Sequence, residues 1–174
     1  RQQTRVRAAT VGQLGLLMWQ ARWLTVLTLG LAACSSAPGP AEPPPNFPDL
    51  SAFTAIDPHD PKLTYTSFVT PNQISCVLDH GTEKSIVCSG DIEGLPASVT
   101  GSGCPAVRKA GDAPYAFERS ATACAPARTM PLAAGRKFVG KNGTCAVGDG
   151  GLVACIDADN KHGFVMQPSG SWVF

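Results

Sequence analysis

Downstream of Lys62, apolar and polar positions alternate in short runs separated by turn residues, the pattern of strands with one buried face. Residues 64–70 (TYTSFVT) are rich in β-branched and aromatic side chains, and Pro71 and Asn72 signal a turn. Residues 73–78 form a second predicted strand, with Ile74, Cys76 and Leu78 on one face. A polar turn at 79–84 leads into a return strand at 85–89. Folded symmetrically about Thr82, this hairpin sets Leu78 opposite Ile86 and Cys76 opposite Cys88, all four on one side. The device recurs in residues 144–147 (TCAV), a turn at 148–151 (GDGG) and residues 152–156 (LVACI). Centred on Gly150, this second hairpin pairs Val147 with Val153 and Cys145 with Cys155. Residues 162–174 read as two more strands around Pro168-Ser169-Gly170, with Trp172 and Phe174 sharing a face. The predicted fold is mainly β: a small antiparallel domain built from hairpins, spanning residues 49–174.

Other stretches carry less periodicity. Residues 90–135 hold five prolines and read as irregular, with a short strand predicted at Tyr115-Ala116-Phe117. Phe47, Leu50, Phe53 and Ile56 recur at intervals of three, which predicts a short amphipathic turn that Pro58 and Pro61 stop. Six of residues 35–48 are proline, so this stretch favours extended polyproline II. At ~3.1 Å per residue it could span about 40 Å as a spacer. The runs FVTPN at Phe68 and FVGKN at Phe138 each precede a hairpin cysteine. Only Phe-Val, Asn and Cys match between them, which favours two converging stapled hairpins over a duplication.

The N-terminal 33 residues have a different character. They hold Arg1, Arg5, Arg7 and Arg22, no acidic residue, and an apolar run over residues 24–33. A basic start, a short apolar core and small residues before a break predict a secretory signal peptide. Ten residues rise only about 15 Å as a helix, about half a bilayer core, so a permanent membrane span is disfavoured. Met18 opens a compact basic lead-in (MWQAR), and translation is expected to start there. Leu31-Ala32-Ala33-Cys34 resembles the lipobox of bacterial lipoproteins, in which the cysteine sulfur is joined to diacylglycerol after cleavage just before it. The resemblance implies a palmitate-type lipid anchor at Cys34 and a protein at the cell membrane facing the extracytoplasmic side. Plain secretion, with Cys34 an odd thiol, is the alternative.

This division changes the charge and cysteine counts. The whole chain has 14 Lys+Arg against 13 Asp+Glu. Without the signal peptide, 10 basic residues face 13 acidic ones, a net charge of −3. No clustered basic face is apparent, so a nucleic-acid partner is excluded. Of seven cysteines, Cys34 is taken by lipid and six remain. Residues opposite each other at a non-hydrogen-bonded antiparallel site lie about 4.5 Å apart at Cα, within reach of a disulfide. Bonds Cys76–Cys88 and Cys145–Cys155 are therefore allowed, and Cys104–Cys124 follows by elimination from 15 connectivities. The last would close a loop of about 20 residues and contribute ~3 kcal/mol in a segment poor in apolar periodicity.

Several of these segments together resemble a family of uncharacterised actinobacterial, mycobacterial-type secreted proteins and lipoproteins. The resemblance rests on Phe68-Val-Thr-Pro-Asn72-Gln-Ile-Ser-Cys76, then Cys88, and on His162-Gly-Phe164-Val-Met166, with a lead-in at Phe47-Pro-Asp-Leu-Ser-Ala-Phe53. It covers residues 47–174. Gln73 stands where the family usually has glycine after the Thr-Pro turn, which puts the local turn in question. The family implies location and fold but no catalytic residues.

The chemistry expected is sparse. With every cysteine accounted for, no thiolate nucleophile is available. There is no C-x-x-C, G-x-S-x-G, H-E-x-x-H or Walker sequence. No cofactor or metal is expected, since disulfides consume the thiolates zinc would need. Residues 157–163 (DADNKHG) faintly suggest a calcium loop, but Lys161 and Pro168 stand where ligands are required, so a hairpin turn is predicted. His59, His80 and His162 are scattered. Two functions remain. One is a lipid-anchored, non-enzymatic module that binds an envelope protein or cell-wall ligand, with Tyr115, Phe117, Trp172 and Phe174 as a binding patch. The other is an envelope hydrolase using the pair Asp91 and Glu93 or the pair Asp157 and Asp159.

Overall fold

The alternation in the sequence becomes two six-stranded sheets. The computed structural model describes residues 41–56, 66–80, 85–126 and 129–174. These fall within the unit Ser36–Phe174. The signal peptide, Cys34, the first part of the proline segment, His59 and residues 81–84 lie outside the described residues.

One sheet is a meander of β2 (Ser67–Val69), β3 (Ser75–His80), β4 (Ser85–Ser89), β5 (Pro105–Arg108) and β6 (Ala116–Arg119). The second is a meander of β8 (Arg136–Val139), β9 (Gly143–Val147), β10 (Val153–Asp157), β11 (Gly163–Met166) and β12 (Trp172–Val173). Each meander gains a two-residue parallel strand beside its first member. β1 (Thr54–Ala55) precedes the first meander but pairs with β8 of the second. β7 (Met130–Pro131) precedes the second meander but pairs with β2 of the first. The short strands are thus exchanged between the sheets.

Register shows how the sheets face each other. Phe68, Cys76, Cys88, Val107 and Phe117 are successive cross-strand partners through the first sheet. Phe138, Cys145, Cys155, Phe164 and Val173 form the corresponding row in the second. Most members of both rows are buried in a single core, with Phe117 and Val173 packed at its border. Phe68 stacks on Phe138 at 6.1 Å, and Tyr115 meets Phe164 edge-on at 4.9 Å. Each fully buried large apolar side chain in these rows is worth about 1.5–3 kcal/mol. The likeness that only Phe-Val, Asn and Cys signal in the sequence therefore extends across five strands.

The three expected disulfides are present, with Cα separations of 4.1 Å for Cys76–Cys88, 4.6 Å for Cys104–Cys124 and 4.1 Å for Cys145–Cys155. The two hairpin bonds face one another across the core, bringing the sulfurs of Cys76, Cys88 and Cys155 within 4.8 Å. Cys104–Cys124 ties the segment after β6 back to the start of β5, where Cys104 N–H also donates to Thr122 O at 2.8 Å.

Three local readings change. The second hairpin has the expected register about Gly150, but the first slips one residue between Val77 and His80. Leu78 and Asp79 together oppose Ile86, a β-bulge, so Leu78 does not face Ile86 directly. Leu78 and Ile86 are nevertheless both fully buried, as their shared face requires. The irregular middle contains a strand missed in the sequence, β5, which begins on Pro105 where a missing N–H is tolerated. Tyr115 immediately precedes β6 rather than starting it. Finally, the turn after Pro71 extends through Gln73, which takes a left-handed conformation at φ 62°. Thr70 Oγ1 accepts from Ile74 N–H across this turn at 3.1 Å. Gly90, at φ 143°, lies against the same turn. A β-carbon on it would come within 2.5 Å of Gln73 O, so the close approach requires glycine.

Candidate functional site

The outer face of the second sheet is the unexpected surface. Lys137, Ala146, Ala154, Val165 and Trp172 are successive cross-strand partners pointing away from the core. Ala146, Ala154 and Val165 are nonetheless buried. The cover is the N-terminal segment. Lys137 Nζ donates to Leu50 O at 2.7 Å at one end of the row, and Phe47 packs edge-on against Trp172 at 6.5 Å at the other. The two alanines on this row leave room for a strap of backbone to approach. Asp49 stabilises the strap's 3₁₀ turn (Leu50–Ala52) by accepting from Ser51 N–H at 2.8 Å and Ser51 Oγ at 2.9 Å. These bonds hold the exposed Asp49 carboxyl below its ordinary pKa.

The strap also shortens the spacer. Ala41 N–H donates to Asp159 O at 3.1 Å, so the proline segment from Ala41 onward lies against the domain instead of reaching away. Pro44 O accepts from Phe47 N–H at 2.8 Å, a turn that aims the Phe47 ring at the sheet. Phe47 packs on Phe174 at 5.4 Å, and Trp172 on Phe174 at 5.7 Å. All three rings are half-buried, so they form a cluster with its outer edges in solvent. A shallow cleft of about 420 Å³ runs beside the strap, lined by Pro43, Pro45, Phe47, Ile156 and Asn160.

The four aromatic residues predicted as one patch separate. Trp172 and Phe174 share a face as expected, joined by Phe47. Tyr115 is not on the surface: it is 2% exposed because its hydroxyl is needed inside. That hydroxyl donates to Asp157 Oδ1 at 2.6 Å and accepts from Ile86 N–H at 3.3 Å. Lys109 Nζ donates to Asp157 Oδ2 at 2.5 Å and lies 5.4 Å from the Tyr115 ring centroid. The β5–β6 loop thereby clasps the end of β10, joining the sheets through a buried ion pair. Burial and the adjacent Asp157 carboxylate push the Tyr115 hydroxyl pKa well above its ordinary value. Phe117 stands on β6 and packs against the core border, on a different element from Trp172 and Phe174.

Of the two carboxylate pairs, Asp157 and Asp159 are divided. Asp157 is buried with both oxygens bonded, while Asp159 is exposed in the β10–β11 turn. Lys161 N–H donates to Asp159 at 3.1 Å, and this bond holds the Asp159 carboxyl below its ordinary range. Asp91 and Glu93 are exposed on either side of buried Ile92. Residues 157–163 form the predicted hairpin turn, with Asn160 at φ 59° and its N–H on Asp157 O. His162 is half-buried and its carbonyl accepts from Asp157 N–H at 2.9 Å, while His80 ends β3 opposite Ser85.

Sequence reading missed two participants. Spacing places Phe47 in a short amphipathic turn, although its setting between Pro45 and Pro48 offers a signal for a docked strap. Lys109 had none, since its partner lies 48 residues away. Searches of family models, curated proteins and solved structures found no match to this chain.

Proposed function

We propose that this protein is a lipid-anchored, extracytoplasmic cell-envelope module of the actinobacterial type it resembles, acting by binding rather than by catalysis. The observation that carries the reading is the cysteine assignment. Three disulfides take six of the seven cysteines, and the seventh is Cys34, at the lipobox-like sequence after the apolar run. Disulfides persist in oxidising compartments, which supports a location outside the cytoplasm. Binding is favoured by the half-exposed cluster of Phe47, Trp172 and Phe174 beside its cleft, since aromatic side chains supply contact area at low entropic cost. Catalysis by Asp157 and Asp159 is disfavoured because Asp157 is buried with both oxygens bonded in the clasp, while Asp159 stands exposed in the turn beyond it.

The test is metabolic labelling with radiolabelled palmitate. Label is expected on the wild-type protein and absent from Cys34→Ala. An unlabelled wild type, or label that survives Cys34→Ala, refutes the anchor.

A further inference from the structure

We infer that the envelope component met by the Phe47, Trp172 and Phe174 cluster is the bilayer surface itself, against which the strap side of the domain rests. This rests on the lipid anchor proposed above. Its first support is reach. Ala41 is fixed to the domain through Asp159 O, at the β10–β11 turn. Cys34 precedes Ala41 by seven residues, and seven fully extended residues span at most about 25 Å. A lipid on Cys34 therefore holds this turn within about 25 Å of the headgroups on any path the chain takes.

The second support is what lies there. Phe174 packs against Gly163, the residue that opens β11 directly after the turn, where a β-carbon on Gly163 would meet its ring at 2.6 Å. Phe47 and Trp172 continue from Phe174 across the outer face. A half-exposed indole is suited to the headgroup level of a membrane, and the phenyl rings beside it to the headgroup–acyl boundary. The tether and the aromatic cluster thus occur at one side of the domain.

Charge does not supply the attraction. Asp159 pairs with Lys161 at 3.6 Å, and Glu42 is exposed on the strap beside them, so both signs are present. The contact is aromatic, and it should depend little on salt or on anionic lipid.

Trp172 is the sole tryptophan after Cys34, the others being Trp19 and Trp23, so its fluorescence reports this cluster directly. The lipidated mature protein is reconstituted into phosphatidylcholine vesicles with plain or brominated acyl chains, and its flotation with the vesicles is measured first. Brominated chains are expected to quench Trp172 emission roughly twofold or more, as for an interfacial indole. The same quenching is expected when part of the lipid is phosphatidylglycerol or when salt is raised. Cys34→Ala protein mixed with the same vesicles sets the unquenched baseline. Protein that floats with unquenched Trp172 overturns the membrane contact and leaves the anchor standing. A concentration-dependent blue shift without quenching assigns the cluster to a second copy and equally overturns it. Wild-type protein that fails to float removes the anchor, and the inference with it.

Discussion

Replacing Asp157 with alanine tests the clasp between the sheets. The Asp157 and Lys109 side chains retain only 9% and 14% of their exposure, so water does little to screen them. Asp157→Ala leaves the Lys109 ammonium without its 2.5 Å partner and the Tyr115 hydroxyl without its acceptor. Removing one member of a buried pair costs about 3–5 kcal/mol. Tyr115→Phe keeps the ring against Phe164 but removes the hydroxyl's bonds to Asp157 and to Ile86 N–H, and loss of the bond to the charged group alone should cost about 1.5–3 kcal/mol. A domain of this size has a stability of about 5–15 kcal/mol, so Asp157→Ala should remove a large share of it. The assay is urea unfolding of the chain from Ser35 onward, followed through Trp172 fluorescence. A lower midpoint with an unchanged slope is expected. The double variant Lys109→Met with Asp157→Leu should recover the part of the loss that comes from the stranded ammonium, because apolar groups of similar size leave no buried charge, while the Tyr115 hydroxyl still lacks its acceptor. A loss below about 1 kcal/mol for Asp157→Ala would place the pair among exposed salt bridges and refute the clasp.

Three further outcomes are expected. Because the folded-state pKa of Tyr115 is raised, the unfolded chain loses this proton first as pH rises through about 10. Its contribution to stability is complete below that pH and declines by up to about 1.4 kcal/mol per pH unit above it; urea midpoints at rising pH should show this slope flattened in Tyr115→Phe. Gln73→Gly should stabilise the domain by about 1 kcal/mol, because glycine relieves the left-handed strain at φ 62°; an unchanged melting temperature would contradict that view of the turn. Phe47→Ala should cost about 1 kcal/mol, half of a full phenylalanine burial, with Trp172 emission shifting red and protease cutting faster near Leu50. Unaltered Trp172 emission would show that Phe47 does not cover it.

The legibility of this fold followed the range of its interactions. Both hairpins could be read because their partners lie within 12 residues, and alternation with a central turn sets the register. The bulge at Leu78 and Asp79 could not, since symmetry about Thr82 carries no trace of one extra residue. β5 was hidden by Pro105, which looks like a strand breaker but stands at the first residue of the strand, where proline is tolerated. The aromatic cluster was half legible: Trp172 and Phe174 showed their shared face by spacing, whereas Phe47 joins them from 125 residues away. Tyr115 was misplaced for a similar reason, because its burial depends on Asp157, 42 residues on. Propensity and periodicity report what a residue does to its neighbours, and the contacts of Phe47 and Tyr115 join parts of the chain far apart in sequence.

The exchange of β1 and β7 has a consequence for how the domain can come apart. A chain cut between β6 and β7 would yield an N-terminal piece with the first meander and a C-terminal piece with the second. The first piece would carry off the edge strand of its neighbour's sheet, and the second would do the same in return. Each piece would also lose the opposite wall of the shared core. The two meanders are therefore halves of one cooperative unit, and a break that frees one must open the other.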